Sequence, residues 1–447
     1  MQYSYEEVIS TIENSRRFGK HTGYEVSSHI LETLGHPESG LPFVHIAGTN
    51  GKGSTTAFLC KILEQAGKKV GMFTSPHLVE FGERIRINGV LIPKEDITRI
   101  GNLLLNTEFD LTPTMFDYCL AMAIIYFKEQ DCDIVVLETG IGGRFDSTNA
   151  IGVPEVAVIT KIGLDHMAIL GDTVEEIAGE KAGIMKKGAP VVISPQQESV
   201  RKVLLDNYNQ VNELENTMIS LEEMSNCKEQ MQQERPTNAS NFYQVSEEGL
   251  AYVASLPMKM LGSYQLENAA TAVLVARVLM EKWQKEKSFQ ATYDDIEDYI
   301  RAGIAQTFWK GRMELMNENP FFMIDGAHNA HGVHALASSL KSLYPGEKFH
   351  FIMAVMADKD YEDMIQELLP LALDFVTVTP ESNRALQSKD LAQCIAQKGI
   401  KATYSEDMES VIVPLVMGEA STSEKTIAFG SLYFIGAIEA IVEKNRR

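Results

Sequence analysis

The sequence predicts an α/β fold in two parts, each built on a mainly parallel sheet. Three observations predict it. Short apolar runs alternate with longer amphipathic ones along the chain, the order from which parallel sheets are assembled. The short runs are almost continuously apolar, as in "CDIVVLET" and "PEVAVIT", which is expected when helices cover both faces of a sheet. A second series of such runs begins near "PFFMIDGAHNAHG", after the stretch "DYIRAGIAQTFWKGRMEL".

In chain order, the first series reads as strands at "LPFVHIAG", "KKVGMFTSP", "CDIVVLET", "PEVAVIT" and "APVVIS". Helical patterns lie between them, notably "GSTTAFLCKILEQAG" and "TMFDYCLAMAIIYFKEQ". Residues 197–248 are polar and rich in Gln, Glu and Asn, and read as a peripheral elaboration with one helix and an edge strand. The second series continues through "KFHFIMAVM", "DFVTVTP" and "KTIAFGSLYFIG", a smaller Rossmann-like unit. The boundary is expected near residue 300, giving domains 1–299 and 300–447.

Composition narrows the function. At 447 residues, with 45% hydrophobic and 23% charged residues, the chain is that of an ordinary globular protein of two or three domains. No apolar run reaches the ~18 residues of a membrane span. The amino-terminal stretch "MQYSYEEVISTIENSRRFGK" is polar and acidic, unlike a signal peptide, so a cytoplasmic protein is expected. Five scattered cysteines, including Cys227, with no C-x-x-C pair argue against a disulfide framework or zinc site. A net charge of −21 disfavours nucleic acid as a partner, because backbone phosphates demand a basic surface. Anionic ligands would have to be held by local cations, backbone N–H groups and metal ions.

The first such place is "HIAGTNGKGSTTAF", residues 45–58. Gly48, Thr49, Asn50, Gly51, Lys52, Gly53 and Ser54 form a Gly-rich turn between a buried strand and a helix expected to start near Ser54. That geometry directs N–H groups and the positive helix end at one point. The spacing departs from the usual phosphate loop, because Gly53 separates Lys52 from the hydroxyl of Ser54. The inserted Gly53 and the absence of an N-K-x-D motif speak against a GTPase. Glu138 ends the strand "VVLE" and Ser75 ends the strand "MFTS". Ligands bind at such carboxyl ends of open α/β sheets, and both oxygens suit Mg2+. His166 follows a third strand; a lone histidine is more often a structural hydrogen-bonder than a ligand. Glu138 reads equally as a capping carboxylate beside a flexible loop. On composition alone, Glu180 and Lys181 read as a solvated charge pair.

Taken together and in order, "HIAGTNGKGST", "TSPHL", "LETGIGGRFDSTN", "GLDHMAILG", "EKAGI", "GRME" and "DGAHN" resemble the folylpolyglutamate synthase family, often bifunctional with dihydrofolate synthase. Single motifs are shared with the muramyl-peptide ligases of the same ATP-dependent amide-ligase superfamily, and a ligase of that type with a different acceptor is the alternative. The resemblance implies that Ser75, Glu138 and His166 hold Mg2+, and that Lys181 is carbamylated by CO2 and helps hold a second Mg2+. It implies nucleotide contacts for Asn268, Arg312 and Asp325, with Lys52 and His328 neutralising transferred phosphoryl charge. Thr114, Met115, Phe116 and Asp117, with Phe145, Asp146 and Ser147, match segments lining a pteroate pocket. Asp117 departs from the family, which usually has Glu there; one methylene less weakens the case for dihydropteroate. The implied reaction uses ATP to convert a carboxylate to an acyl phosphate that the amine of L-glutamate then attacks. The substrates expected are ATP, L-glutamate and reduced folate or dihydropteroate, with a monomeric protein and no membrane or nucleic-acid partner.

Overall fold

The computed structural model describes residues 2–15, 24–213, 241–382, 384–420 and 424–445. It divides into two compact units. The first comprises Met1–Ser75, Phe81–Lys259 and Leu266–Thr307; the second comprises Pro76–Glu80, Met260–Gln265 and Phe308–Arg447. The expected boundary at residue 300 falls within the helix Tyr293–Gln306. That helix cannot be cut there because Gly303 is seated on Ile62, where an added Cβ would lie 2.6 Å from the Ile62 Cα. The short excursions at 76–80 and 260–265 had no signal in the sequence. Cys227 lies outside the described residues, as does the middle of the polar region.

The first unit contains the strands β1 (Phe43–Ala47), β2 (Val70–Phe73), β3 (Ile85–Ile87), β4 (Val90–Leu91), β5 (Ile134–Glu138), β6 (Val156–Ile159), β7 (Val191–Ile193) and β8 (Phe242–Gln244). They form one sheet in the order β4-β3-β2-β5-β1-β6-β7-β8. The strands from β2 to β8 in that order pair in parallel; β3 and β4 add an antiparallel hairpin at one edge. β1 and β5 are buried along their whole length, because alternate side chains enter cores on opposite faces. Phe43, Phe73, Val135 and Leu137 join one core with the helix Met115–Glu129. Ala47, Ala157, Ile159, Val191 and Ile193 continue that same face into a second cluster with the helix Val174–Ala182, while Val44, Ile46 and Val136 are buried on the opposite face. The polar region supplies the helix Glu198–Asn212 and the edge strand β8.

The second unit contains β9 (Glu314–Glu318), β10 (Phe321–Asp325), β11 (Phe349–Met353), β12 (Ala372–Thr377), β13 (Ala402–Tyr404) and β14 (Lys425–Phe429). Their order is β13-β12-β11-β14-β10-β9. All pair in parallel except β9, which runs antiparallel to β10. Phe351 and Phe429 face one core, Ile352 and Ala428 the other, so this sheet too is covered on both faces. Among the described residues, no helix is long and apolar enough to cross a membrane.

Candidate functional site

Register brings four strand ends to one edge of the first sheet. Ile46 pairs with Glu138, Ala47 with Ile159, and Phe73 with Leu137. The turns after β1, β2, β5 and β6 therefore leave the sheet on the same side, at its carboxyl edge, where open α/β sheets bind ligands.

The turn after β1 is shaped by its neighbours. Gly51 has φ +89° and precedes a helix that starts at Lys52, two residues earlier than the sequence predicts. A Cβ on Gly51 would lie 2.2 Å from Asn268 Oδ1, and one on Gly48 would lie 1.8 Å from Thr160 Oγ1. Both glycines thus allow a side chain to press against the loop backbone. Thr160 Oγ1 donates to Asn50 C=O at 2.9 Å. The N–H groups of Thr49 and Asn50 donate to Lys161 C=O at 2.9 and 3.2 Å. These two N–H groups are spent within the protein, which narrows the expected ring of donors. The first intrahelical donor is Thr55, to Gly51 C=O, so Lys52, Gly53 and Ser54 carry the N–H groups left for an anion.

Two lysines meet at this loop. Lys52 Nζ donates to Gly48 C=O at 3.1 Å and lies 3.9 Å from Glu138 Oε1. Lys181, on the helix Val174–Ala182, is 4% exposed, and its Nζ donates to the same Gly48 C=O at 2.9 Å. Burial and the nearby Lys52 charge push the Lys181 ammonium down to about 7, against the opposing pull of Asp165 and Asp146. Glu180 turns away to Arg144, 3.3 Å distant. Lys181 is therefore no solvated surface cation. The loop "GIGGR" can lie this close because Gly143 and Gly183 have no Cβ: each added atom would strike backbone of the other segment, at 2.7 Å from Lys181 O and 2.4 Å from Arg144 Cα.

Of the expected metal-binding set, Glu138 is 4% exposed at the end of β5, and Ser75 is half-buried in the turn after the adjacent β2. His166 is exposed, with φ +52°, a conformation uncommon outside glycine. Among the described residues, no three His, Cys, Asp or Glu side chains are grouped to hold a metal ion. Glu138 and Ser75 offer an ion one carboxylate and one hydroxyl, a set completed largely by water, which is the habit of Mg2+ and not of zinc. The buried hydroxyls of Thr55 and Thr139, next in sequence to Ser54 and Glu138, lack a hydrogen-bond partner among the described residues. An oxygen-rich edge of this kind fits Mg2+.

Beside it, Thr114 caps the helix Met115–Glu129 in a reciprocal box with Asp117. Asp117 is 2% exposed. One of its oxygens accepts from Ser27 and Ser147 hydroxyls at 2.5 and 2.7 Å, the other from the Thr114 N–H and hydroxyl at 2.9 and 2.7 Å. Its carboxylate is fully engaged in fixing Thr114 and Ser147, and a shorter side chain than Glu suits that task. Phe116 rests on Phe73, ring centroids 5.6 Å apart, whereas Phe145 is 57% exposed. Met115 is partly buried against the same core. Asp146 is buried and accepts from Ile141 N–H and from Thr148 N–H and hydroxyl. With Thr148 Oγ1 donating to Asp146, His45 must donate to it through Nε2, at 2.7 Å. Burial, then the Lys186 charge, hold the His45 imidazole down at about 3 and so neutral. His45, Thr148, Thr160 and Ser27 went unnoticed in the sequence. Only Thr160, a hydroxyl at a strand end, left a local signal.

In the second unit, Asp325 ends β10 at 3% exposure. It accepts from Tyr264 hydroxyl, Met313 N–H and Ala327 N–H at 2.8, 2.9 and 2.8 Å. Tyr264 is a further residue that the motifs did not single out. Arg312 lies against Gly326, where a Cβ would be 2.1 Å from its Nη1. His328 Nδ1 lies 2.7 Å from Gly326 C=O and donates to it, which fixes that tautomer. Asn329 caps the following helix, accepting from Gly332 N–H.

Two family descriptions match: "Mur ligase middle domain" over residues 46–276 and "Mur ligase, glutamate ligase domain" over residues 311–432. The dihydrofolate synthase/folylpolyglutamate synthase of Bacillus subtilis is 35% identical over 443 residues, 97% of this chain and 98% of that one. Among solved structures, Escherichia coli FolC in complex with DHPP and ADP is 26% identical, with a TM-score of 0.79 and all of both chains covered. Folylpolyglutamate synthase from Thermotoga maritima is 27% identical, with a TM-score of 0.75, covering 99% of this chain and 97% of that one.

Proposed function

This chain belongs to the dihydrofolate synthase/folylpolyglutamate synthase family, and from that membership we propose how its residues carry the reaction. It is an ATP-dependent ligase that joins L-glutamate to the γ-carboxylate of a reduced folate. The observation that carries the reading is the meeting of Lys52, Lys181 and Glu138 at the phosphate loop.

A carboxylate is a poor acyl donor. Its oxygen attacks the γ-phosphorus of ATP, ADP leaves, and the resulting acyl phosphate is attacked by the amine of glutamate, expelling phosphate. Phosphoryl transfer asks the protein for positioning and charge neutralisation. The N–H groups of Lys52, Gly53 and Ser54 hold the phosphates, and the Lys52 ammonium balances charge on the γ-phosphoryl oxygens. Gly48, Thr49, Asn50 and Gly51 shape that loop. Asn268, Arg312 and Asp325 contact the nucleotide, and His328, when both ring nitrogens carry protons, donates from Nε2 to the transferred group. Ser75 and Glu138, with His166, would hold Mg2+, which when bound supplies charge neutralisation and alignment of the phosphates. Lys181 takes up CO2 as a carbamate, turning a buried cation into an anion that would help hold a second Mg2+.

Thr114, Met115, Phe116, Asp117, Phe145, Asp146 and Ser147 form the acceptor side. Dihydropteroate is proposed as a second acceptor, on the double activity in the name of the Bacillus subtilis relative. Ligation of radiolabelled glutamate with ATP, measured separately with tetrahydrofolate and dihydropteroate, tests both. Product with tetrahydrofolate is required; none with dihydropteroate would remove the second activity, and product with neither would remove the function.

A further inference from the structure

Arg312 sits on a turn that is held with unusual completeness. Gly311 N–H donates to Glu314 Oε2 at 2.7 Å. Gly311 C=O accepts from Gly326 N–H at 2.7 Å and from Arg312 Nη1 at 3.0 Å. Gly311 has φ +68°, and a Cβ there would lie 2.8 Å from Ile435 Cγ2, so neither a side chain nor another backbone shape fits easily. The guanidinium is thus aimed by a carbonyl whose own residue is anchored at its other end by Glu314.

Glu314 in turn meets Glu439, which is 3% exposed on the helix Leu432–Asn445. Lys310 Nζ lies 3.3 Å from Glu439 and 3.4 Å from Glu443. Three carboxylates therefore face one ammonium, with Arg312 on the same turn. The inner Glu439 oxygen has no donor among the described residues. A proton held between Glu314 and Glu439 supplies one and removes the repulsion of two buried like charges.

We propose that Glu314 is a positioning residue for the nucleotide: it anchors Gly311 so that Arg312 points at its ligand, and Glu439 steadies Glu314. This rests on the reading that Arg312 contacts ATP. Burial, then the Glu439 charge, push the Glu314 carboxyl up to about 7. As pH rises through that value the shared proton is lost, Glu314 and Glu439 repel, and the anchor loosens. Nucleotide affinity should fall accordingly.

The test is calorimetric binding of Mg2+·ATP to the full-length chain between pH 6 and 8.5, with thermal unfolding as a check on folding. Glu314→Ala should weaken binding about tenfold at pH 6.5, the scale of one buried hydrogen bond. Glu314→Gln keeps an acceptor for Gly311 and a permanent donor for Glu439. It should bind like the parent at pH 6.5 and lack the parent's loss of affinity at high pH. Arg312→Ala separates the two layers. If it binds ATP normally, the reading of Arg312 fails and the proposal with it. If it weakens binding while folded Glu314→Ala does not, only the positioning role is overturned. Should Glu314→Ala fail to fold, Glu314→Gln decides: an unchanged pH dependence overturns the proposal, and a flattened one supports it.

Discussion

Lys181 should form a carbamate with dissolved CO2 before any nucleotide or acceptor is added. Only a neutral amine attacks CO2, and a lysine with the reference pKa of about 10.4 is neutral in roughly 0.1% of molecules at pH 7.5. Burial and the Lys52 charge bring Lys181 down to about 7. That value makes about three quarters of it neutral at pH 7.5, a gain of several hundredfold. Full-length protein in 13C-bicarbonate should therefore show a carbamate carbon resonance that grows as pH rises through about 7 and levels off above it, because the proton released on carbamate formation offsets the falling CO2. The resonance should vanish in Lys181→Arg. In Lys52→Ala its onset should move to higher pH, because the second cause of the shift is gone. Absence of a Lys181-dependent resonance, or an onset in the range of an exposed lysine, would refute the reasoning.

Three other outcomes are expected. Lys52→Ala should fold normally and lose ligation by about a hundredfold or more, since a cation aimed at developing phosphoryl charge contributes on the order of 3 kcal/mol; steady-state kinetics beside circular dichroism check it. Asp117→Ala strands the donors of Ser27, Thr114 and Ser147 in a buried site. It should destabilise the chain by about 3 kcal/mol in denaturant unfolding, while Asp117→Asn, which keeps one acceptor oxygen and sets an NH2 against the donors at the other, costs about half. His350 is pulled down by burial, but its hydrogen bonds to Asp374 and Glu424 outweigh that and raise it. A raised folded pKa stabilises fully below the unfolded value near 6.5, and that contribution is lost as pH climbs through the folded one. The fall in melting temperature from pH 6 to pH 8 should therefore shrink in His350→Gln.

The parallel sheets were legible because their strands are continuous apolar runs and their ends carry the polar residues. The phosphate loop was legible for the same reason: glycine, lysine and hydroxyl stand together in sequence. The antiparallel hairpin of β3 and β4 also left a signal, the Asn88–Gly89 pair, with both residues at positive φ, that went unused. Other features have no local trace. Ser27 and Asp117 are 90 residues apart, and Tyr264 and Asp325 are 61 apart, so only the fold pairs them. Burial of Lys181 is likewise a tertiary fact: its helix reads as charged, and the loop "GIGGR" covers it. The allegiance of residues 76–80 and 260–265 to the second unit depends on packing that no short window records.

Activation of a carboxylate by ATP is the central claim, and oxygen transfer tests it most directly. With tetrahydrofolate carrying 18O in its γ-carboxylate, and with ATP and L-glutamate supplied, one labelled oxygen should leave in the phosphate released for each amide formed. Phosphate that carries no label from the carboxylate, while amide accumulates, would contradict an acyl-phosphate route.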